Sequence, residues 1–159
     1  NLINQQVAEE LLMAEGAIVS LAANGQLGVE AVSAAAPQFD VVLMDIQMPG
    51  MDGIEATRRI RQLESGKKRT PIIALTAHSI TEQKSELLIA GMDDCLSKPV
   101  SEAQLIHVIN RWASLSGKKE IAIKNVEPNT IEPRQVKSFI NFTVAVVTAE
   151  FQGSNISVA

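Results

Sequence analysis

The chain has 159 residues, a net charge of −4 and 46% hydrophobic content, which favours one domain with a buried core and some additional sequence. The acidic balance argues against a nucleic-acid surface, and because no run of 18 apolar residues occurs, we expect neither a membrane span nor direct membrane contact. The single cysteine, Cys95, excludes an internal disulfide framework and fits a reducing compartment, so we expect a cytoplasmic location.

Helical and strand-like patterns alternate along residues 4–112. The helical segments carry apolar side chains at three- and four-residue spacing, whereas the strand-like segments are short apolar runs. Gly16 and Gly91 end two of the helices, and another ends before Pro37. The predicted strands are 17–22, 40–44, 71–75 and 94–96, and the predicted helices are 4–15, one around 29–32, 54–63, 80–90 and 101–112.

Strands that alternate with helices indicate a parallel sheet with helices on both faces. In such a sheet, consecutive βαβ units bring the carboxyl ends of their strands to one edge, where ligands bind. Three of these ends carry Asp45, Thr76 and Lys98. Each residue alone would most simply be a turn residue, but their equivalent positions on three successive strands predict a shared site.

These three side chains suit the transfer of a phosphoryl group. A carboxylate such as Asp45 can attack phosphorus and form an acyl phosphate. The Lys98 ammonium and the Thr76 hydroxyl can then contact the phosphoryl oxygens, because catalysis of this transfer is mainly positioning and neutralisation. A Mg²⁺ ion could bridge the carboxylate, a backbone carbonyl and the phosphoryl group.

Four segments carry a family resemblance: NLINQQVAEELL at the start, then VVLMDIQMPGMDGIEATRRIR, PIIALTAH and GMDDCLSKPV. With them, residues 1–113 closely resemble the receiver domain of two-component response regulators, and most of all the receivers of hybrid sensor histidine kinases. The resemblance implies an α/β, doubly wound, flavodoxin-like fold in which five parallel strands have the order 2-1-3-4-5.

The resemblance also implies a function and a partner. It implies a phosphoacceptor that takes a phosphoryl group from a histidine kinase or a histidine phosphotransfer domain, and relays it or switches conformation. The partner would dock beside the site on the first helix, around Asn4, Val7 and Ala8. The chain would then be a regulatory domain of a hybrid histidine kinase rather than a stand-alone enzyme.

Single residues receive roles from the same resemblance. It implies that Asp45 is the phosphoacceptor, that Thr76 is the switch hydroxyl and that Lys98 contacts the phosphoryl group. Asp45 and the backbone carbonyl of Gln47 would hold Mg²⁺. The Lys98-Pro99 peptide bond would be cis, which costs little before proline.

The first departure from the family pattern is a missing strand. Receivers usually begin with a strand that ends in a pair of acids just before the position of Asn1, and this strand lies in the middle of the sheet. Without it, strands 17–22 and 40–44 would each expose an inner edge, and Mg²⁺ would lose one or two carboxylates. We assign 1–115 to a receiver domain that lacks its first strand, and 116–159 to a linker and tail of uncertain structure.

One strand candidate in the tail, 142–147 (FTVAVV), leaves several alternatives open. It could fill the missing central position, as in a circularly permuted receiver, or do so in a neighbouring chain and give a strand-swapped homodimer. It could also begin another domain or pack elsewhere. If it does replace the missing strand, Thr148 and Ala149 stand where the acids should be, and Glu150 alone offers a carboxylate to Mg²⁺.

The second departure is Cys95, which stands where the family usually has an aromatic ring. That ring moves inward when the switch hydroxyl engages phosphate, and a thiol offers less area for such packing. Cys95 could be a reactive thiol, but a small buried hydrophobe is the simpler interpretation.

Two clusters of charge have simple interpretations. Arg58, Arg59 and Arg61 would form the solvated face of their helix. Asp93 and Asp94 stand at the beginning of the strand predicted at 94–96, so they lie at the wrong end of the sheet to replace the missing acids.

Other functions remain open. A receiver fold with a degraded metal site could be an interaction module without phosphorylation, and would then show no response to Mg²⁺ or beryllofluoride by NMR or by Trp112 fluorescence. An aspartyl-phosphate hydrolase would need a second Asp two positions after Asp45, where this chain has Gln47. A flavin-binding module is disfavoured because no phosphate loop rich in Ser and Thr follows a first strand.

Overall fold

The computed structural model describes residues 5–14, 16–78, 80–115 and 142–149, with residues 5–8, 80 and 113–115 described by their backbone alone. Within these ranges, helices and strands alternate as the sequence predicts. The helices are α1 (Gln5–Ala14), α2 (Gly25–Ala34), α3 (Gly53–Leu63), α4 (Ile80–Ala90) and α5 (Glu102–Leu115). The strands are β1 (Ile18–Ala22), β2 (Val41–Asp45), β3 (Ile72–Thr76), β4 (Asp94–Ser97) and β5 (Thr143–Val147).

The strands form one parallel sheet in the order β1-β5-β2-β3-β4. β5 lies between β1 and β2, where the family's first strand was expected. Val146 is paired with Leu21 on one side and with Leu43 on the other. The predicted α/β fold is therefore confirmed, and in this structure the central position is filled by a strand of the same chain.

Helices cover both faces of the sheet because neighbouring residues of a strand point to opposite sides. Val42 and Met44 of β2 belong to a core cluster with side chains of α2, α3 and α4, whereas Val41 and Leu43 belong to a second cluster with side chains of α1 and α5. β5 alternates in the same way and is buried from residue 144 to residue 147. Because both faces of this strand are buried, its sequence is a continuous apolar run. Burial of each valine stabilises the fold by about 1.5–3 kcal/mol.

The start of β5 is fixed to the residue before β2. Asp40 Oδ2 accepts the backbone N–H of Thr143 at 2.8 Å and its hydroxyl at 3.1 Å. Phe142, just before the strand, is fully buried, and its carbonyl accepts the N–H of Ile18 at 2.8 Å. These contacts set the register of β5, because a slip of one residue would break them and exchange its two buried faces.

One prediction about surface charge is wrong. Arg58 and Arg59 are exposed, but only 14% of the Arg61 side chain is exposed. Its guanidinium forms ion pairs with Glu64 and Asp93 at 2.7 and 2.8 Å and donates to two backbone carbonyls. The helical pattern of α3 indicates which of its faces is apolar. It does not indicate that the turn between α4 and β4 packs against Arg61 on the polar face.

The structure describes only part of the predicted division of the chain into a domain and a tail. The division into 1–115 and 116–159 stays a prediction, since most of the second range lies outside the described residues, although β5 places residues 143–147 in the sheet. As predicted, Asp94 begins β4 rather than ending a strand. None of the helices within the described ranges combines the length and hydrophobicity needed to cross a bilayer.

Candidate functional site

Asp45 ends β2 at the carboxyl edge of the sheet, where it is 1% exposed. Its Oδ1 accepts the backbone N–H of Gln47 at 3.1 Å. The chain then turns back, and the Gly53 N–H donates to the Ile46 carbonyl at 3.0 Å. A side chain at position 53 would collide with the backbone carbonyl of Asp45, so the glycine allows α3 to begin directly beside the end of β2.

Lys98 reaches the same carboxylate from the end of β4. Its Nζ lies 2.8 Å from Asp45 Oδ2, and its backbone N–H donates to the Thr76 carbonyl at 2.6 Å. The Lys98-Pro99 peptide bond is cis, as the resemblance implies. The Asp45 side chain is 2% exposed and the Lys98 side chain 25%, so removal of the lysine would leave a buried carboxylate without its charged partner.

Thr148 follows β5 and contacts the carboxylate from the other side. It is 1% exposed, and its hydroxyl donates to Asp45 Oδ2 at 3.1 Å. Its backbone N–H donates to the Ala22 carbonyl at 2.9 Å, which holds the residue just beyond the last pair of β5. Thr148 thus stands beside Asp45 where the acid pair was expected, while Glu150 lies outside the described residues.

Thr76 ends β3, between the strands that carry Asp45 and Lys98, and is 1% exposed. Its hydroxyl accepts the backbone N–H of His78 at 3.1 Å and donates to Gln83 Oε1 at 3.0 Å. The three predicted side chains therefore lie at one edge, with the lysine bonded to the carboxylate and the hydroxyl turned toward α4. The contact with Gln83 was not predicted, because nothing in the sequence distinguishes it from other polar residues of that helix.

The oxygen atoms at this edge fit a weakly held Mg²⁺ ion. In phosphoryl-transfer sites, Mg²⁺ retains several waters and is bound by one or two carboxylates together with phosphate oxygens. Asp45 supplies one carboxylate; its Oδ1 accepts the Gln47 N–H, and the neutral hydroxyl of Thr148 lies beside Oδ2. No group of three or more Asp, Glu, His or Cys side chains within the described ranges is arranged to hold a metal. Within the described residues, the single carboxylate of Asp45 therefore offers the ion less negative charge than it would have together with an acid pair.

Cys95 lies on β4, half-buried against the cluster that contains Leu87 and Met92. Burial raises the pKa of the thiol, Asp94 raises it further, and Lys84 lowers it. A thiol with a raised pKa stays protonated at neutral pH and is a poor nucleophile, which favours the interpretation as a small hydrophobe. A cavity of about 320 Å³ adjoins this residue.

Trp112 lies at the opposite edge of the sheet from the candidate site. Its Nε1 donates to Asp94 Oδ2 at 3.4 Å, at the start of β4, whereas Lys98 follows the end of that strand. Its fluorescence is therefore poorly placed to follow ligand binding, and NMR signals of the site residues are the better reporter.

Comparisons with known proteins agree on one family. The family model described as the response regulator receiver domain matches residues 1–110. The sensor histidine kinase GacS of Pseudomonas protegens is 42% identical over 136 residues, which cover 84% of this chain and 14% of that protein. The signal transduction histidine-protein kinase BarA of Escherichia coli is 46% identical over 99 residues, which cover 62% of this chain and 10% of that protein. The chain therefore corresponds to a small part of each relative.

Solved structures give the same result for the fold. The receiver domain of the sensor histidine kinase PA1611 from Pseudomonas aeruginosa, with magnesium in its active site cleft, has a TM-score of 0.61 and 40% identity and covers 72% of this chain and 91% of its own. A Saccharomyces cerevisiae co-crystal structure of the histidine phosphotransfer protein Ypd1 and the receiver domain of Ssk1 matches with a TM-score of 0.66 and 30% identity, and covers 73% of this chain and 85% of the matched chain.

Proposed function

The chain belongs to the family of response regulator receiver domains, and on that premise we propose that Asp45 is its phosphoacceptor. The domain takes a phosphoryl group from a phosphohistidine, holds it on Asp45, and then passes it on or changes the surface around α4. The observation that carries the proposal is the 2.8 Å contact of Lys98 Nζ with Oδ2 of the buried Asp45. A buried carboxylate with an adjacent ammonium provides the nucleophile and the neutralising charge that phosphoryl transfer needs.

The hydrogen bonds of Asp45 indicate which of its oxygens attacks. Oδ2 accepts from both Lys98 and Thr148, whereas Oδ1 accepts a single backbone N–H, from Gln47. Oδ1 therefore has the more available lone pair and forms the bond to phosphorus. The P–N bond to the donor histidine breaks, and its electron pair returns to the imidazole nitrogen, which takes up a proton from solvent. The Lys98 ammonium and the Thr76 hydroxyl then donate to phosphoryl oxygens.

We expect Asp45 and the backbone carbonyl of Gln47 to hold Mg²⁺, the ion present in the PA1611 receiver. When bound, the ion supplies positive charge that offsets the charge of the phosphoryl group and of the carboxylate. Glu150 stays a predicted further ligand. The neutral Thr148 hydroxyl contributes less to the binding of the ion than a carboxylate would.

The proposed phosphoryl donor is a histidine kinase or a histidine phosphotransfer domain. The likeness to the Ssk1 receiver, which was co-crystallised with Ypd1, supports this class of partner. We place the docking surface on α1, around Val7 and Ala8, beside the carboxyl edge of the sheet; Asn4, which we assign to the same surface, lies outside the described residues.

The likeness to GacS and BarA supports a regulatory domain of a hybrid histidine kinase rather than a stand-alone enzyme. A cytoplasmic location is supported by Cys95, a free thiol of the kind that reducing compartments preserve. A strand-swapped homodimer is also proposed, because residues 116–141 connect α5 to β5 and could carry β5 into the sheet of a second copy. Light scattering over a range of concentrations would detect such a dimer as a doubled mass.

Phosphorylation is tested with the full chain, Mg²⁺ and acetyl phosphate. We expect the intact mass to increase by one phosphoryl group in the wild type and to remain unchanged in Asp45→Asn. Asp40→Asn, a change at the other end of β2, serves as the matched control and should retain the increase. An unchanged wild-type mass, or an increase that persists in Asp45→Asn, would contradict the proposal.

A second candidate is an interaction module that is not phosphorylated. The observation that favours it is the Thr148 hydroxyl beside Asp45, in a position where a carboxylate would bind Mg²⁺ more strongly. In that case, neither Mg²⁺ nor beryllofluoride would shift the NMR signals of Asp45, Thr76 and Lys98.

A further inference from the structure

The hydroxyl of Thr76 is held by two hydrogen bonds, neither of which is to Asp45. Its oxygen accepts the His78 N–H at 3.1 Å, and its hydrogen is donated to Gln83 Oε1 at 3.0 Å. Thr76 is 1% exposed, so the hydroxyl is shielded from solvent. A threonine hydroxyl has one hydrogen to donate, so the bond to Gln83 excludes a simultaneous bond to a phosphoryl oxygen.

We propose that Gln83 is a positioning residue that holds Thr76 in its unphosphorylated orientation and thereby weakens the binding of the phosphoryl group. This inference rests on the proposed function of Asp45. When Thr76 donates to a phosphoryl oxygen, Gln83 loses its hydrogen bond, and the first turn of α4 loses a contact with β3. The amide of Gln83 therefore links the occupancy of Asp45 to the position of α4.

The position of Gln83 in the fold explains how this link works. The residue lies early in α4 (Ile80–Ala90) and is half-buried, and its helix is anchored to the core further along by Leu87 and Ala90, which are 3% exposed. The first turn can therefore move while the rest of the helix stays packed. The half-buried Cys95 is a small side chain without a ring, so the link through Gln83 does not require an aromatic residue on β4.

Substitutions of Gln83 should act in opposite directions. Gln83→Met keeps the length of the side chain and removes the acceptor, which frees the Thr76 hydroxyl for the phosphoryl group. Since one neutral hydrogen bond is removed from the competing state, we expect beryllofluoride to bind about 2- to 12-fold more tightly. Gln83→Glu offers a charged and stronger acceptor, so beryllofluoride should bind more weakly than in the wild type.

The decisive experiment is a double-mutant cycle on the full chain in the presence of Mg²⁺, with beryllofluoride affinity measured by NMR titration. In a Thr76→Val background, the hydroxyl is absent and the effect of Gln83→Met should disappear. Glu86→Gln, an exposed change on the same helix, is the matched control and should leave the affinity unchanged. Thr76→Ala replaces the valine variant if that variant does not fold.

The outcomes separate this inference from the proposed function. If the wild type does not bind beryllofluoride, the proposed function fails and this inference fails with it. If the wild type binds but Gln83→Met has wild-type affinity, or its gain persists without the Thr76 hydroxyl, Gln83 does not act through Thr76 while Asp45 remains the phosphoacceptor. An affinity of Gln83→Glu equal to or higher than that of the wild type would also overturn the inference.

Discussion

Two Asp–Thr pairs join the two ends of β2 to β5, and they have different consequences. Asp40 meets Thr143 before the strands begin to pair, and Asp45 meets Thr148 where they end; each pair is separated by 103 positions in the chain. In the first pair, one carboxylate oxygen accepts both the N–H and the hydroxyl of the threonine. In the second pair, one oxygen accepts a hydroxyl and the Lys98 ammonium, and the other accepts a single backbone N–H.

The same residue types therefore set the strand register at one end and provide a candidate phosphoacceptor at the other. Burial makes the difference. Asp45 is almost fully buried with the Lys98 ammonium beside it, whereas Asp40 is half-buried. The chemistry of a carboxylate at a strand end therefore depends on the groups that contact it, and not on its position alone.

The largest effect is expected from Lys98→Met, which removes the ammonium beside Asp45. The buried carboxylate would lose its partner, so the free energy of unfolding should fall by about 3 kcal/mol in urea titrations. Phosphorylation by acetyl phosphate should slow by about 100-fold, since a donor to the reacting group is lost.

The double variant Asp45→Asn/Lys98→Met is the control for this effect. Because it removes both charges, it should recover much of the lost stability. A double variant as unstable as Lys98→Met alone would show that the two charges are not coupled.

Thr148→Asp would place a second carboxylate beside Asp45. We expect Mg²⁺ to bind about tenfold more tightly or better by calorimetry, because the ion gains a second carboxylate. Two adjacent carboxylates repel each other, so the variant should be less stable than the wild type without Mg²⁺ and should regain stability when the ion is added.

Thr143→Asp is the matched variant at the other end, beside Asp40. Repulsion should destabilise it as well, but Mg²⁺ should not restore its stability. Equal rescue of both variants by Mg²⁺ would contradict the distinction between the two pairs.

Thr143→Val should affect stability and leave the chemistry unchanged. Loss of the hydroxyl donor to Asp40 should lower the free energy of unfolding by about 1 kcal/mol, while the rate of phosphorylation stays that of the wild type. Thr148→Val should cost a similar free energy and should also change the rate, because the lost donor contacts Asp45. The comparison fails if the rate responds to position 143 and not to position 148.

The smallest effect concerns the thiol of Cys95, which lies away from both pairs. Because burial raises the pKa of the thiol above its ordinary value of 9.0, the folded protein holds less thiolate near neutral pH than the unfolded chain. Alkylation by iodoacetamide should therefore be a few-fold slower in the folded protein near pH 8. Its rate should rise at higher pH than that of the same protein in urea. Equal rates in both states would show that the thiol is not shielded.

Much of the site could be predicted from strand ends. Asp45, Thr76 and Lys98 follow successive apolar runs, and the parallel topology brings them to one edge. The direction of the Thr76 hydroxyl could not be predicted, because its acceptor, Gln83, lies on a helix whose rotation is set by packing. The contacts of Arg61 were missed for the same reason: two of its acceptors, Asp93 and the Gly91 carbonyl, lie about thirty positions away on the turn before β4.

The identity of the central strand was harder to predict. An apolar run such as 142–147 fits any slot that is buried on both faces, so periodicity does not specify its neighbours. Its place is specified by contacts with distant residues, among them Asp40 with Thr143 and the Ala22 carbonyl with Thr148. These contacts become visible only in the folded sheet, so they could not be used to place the strand from the sequence.

The position of β5 also bears on the order in which the protein is made. A ribosome releases β1 and β2 long before it reaches residues 143–147, yet these two strands meet in the sheet through β5. Contacts that span more than a hundred positions slow the closure of a fold. The edges of β1 and β2 that face β5, five residues each, therefore receive this strand only after residues 143–147 have been added to the chain.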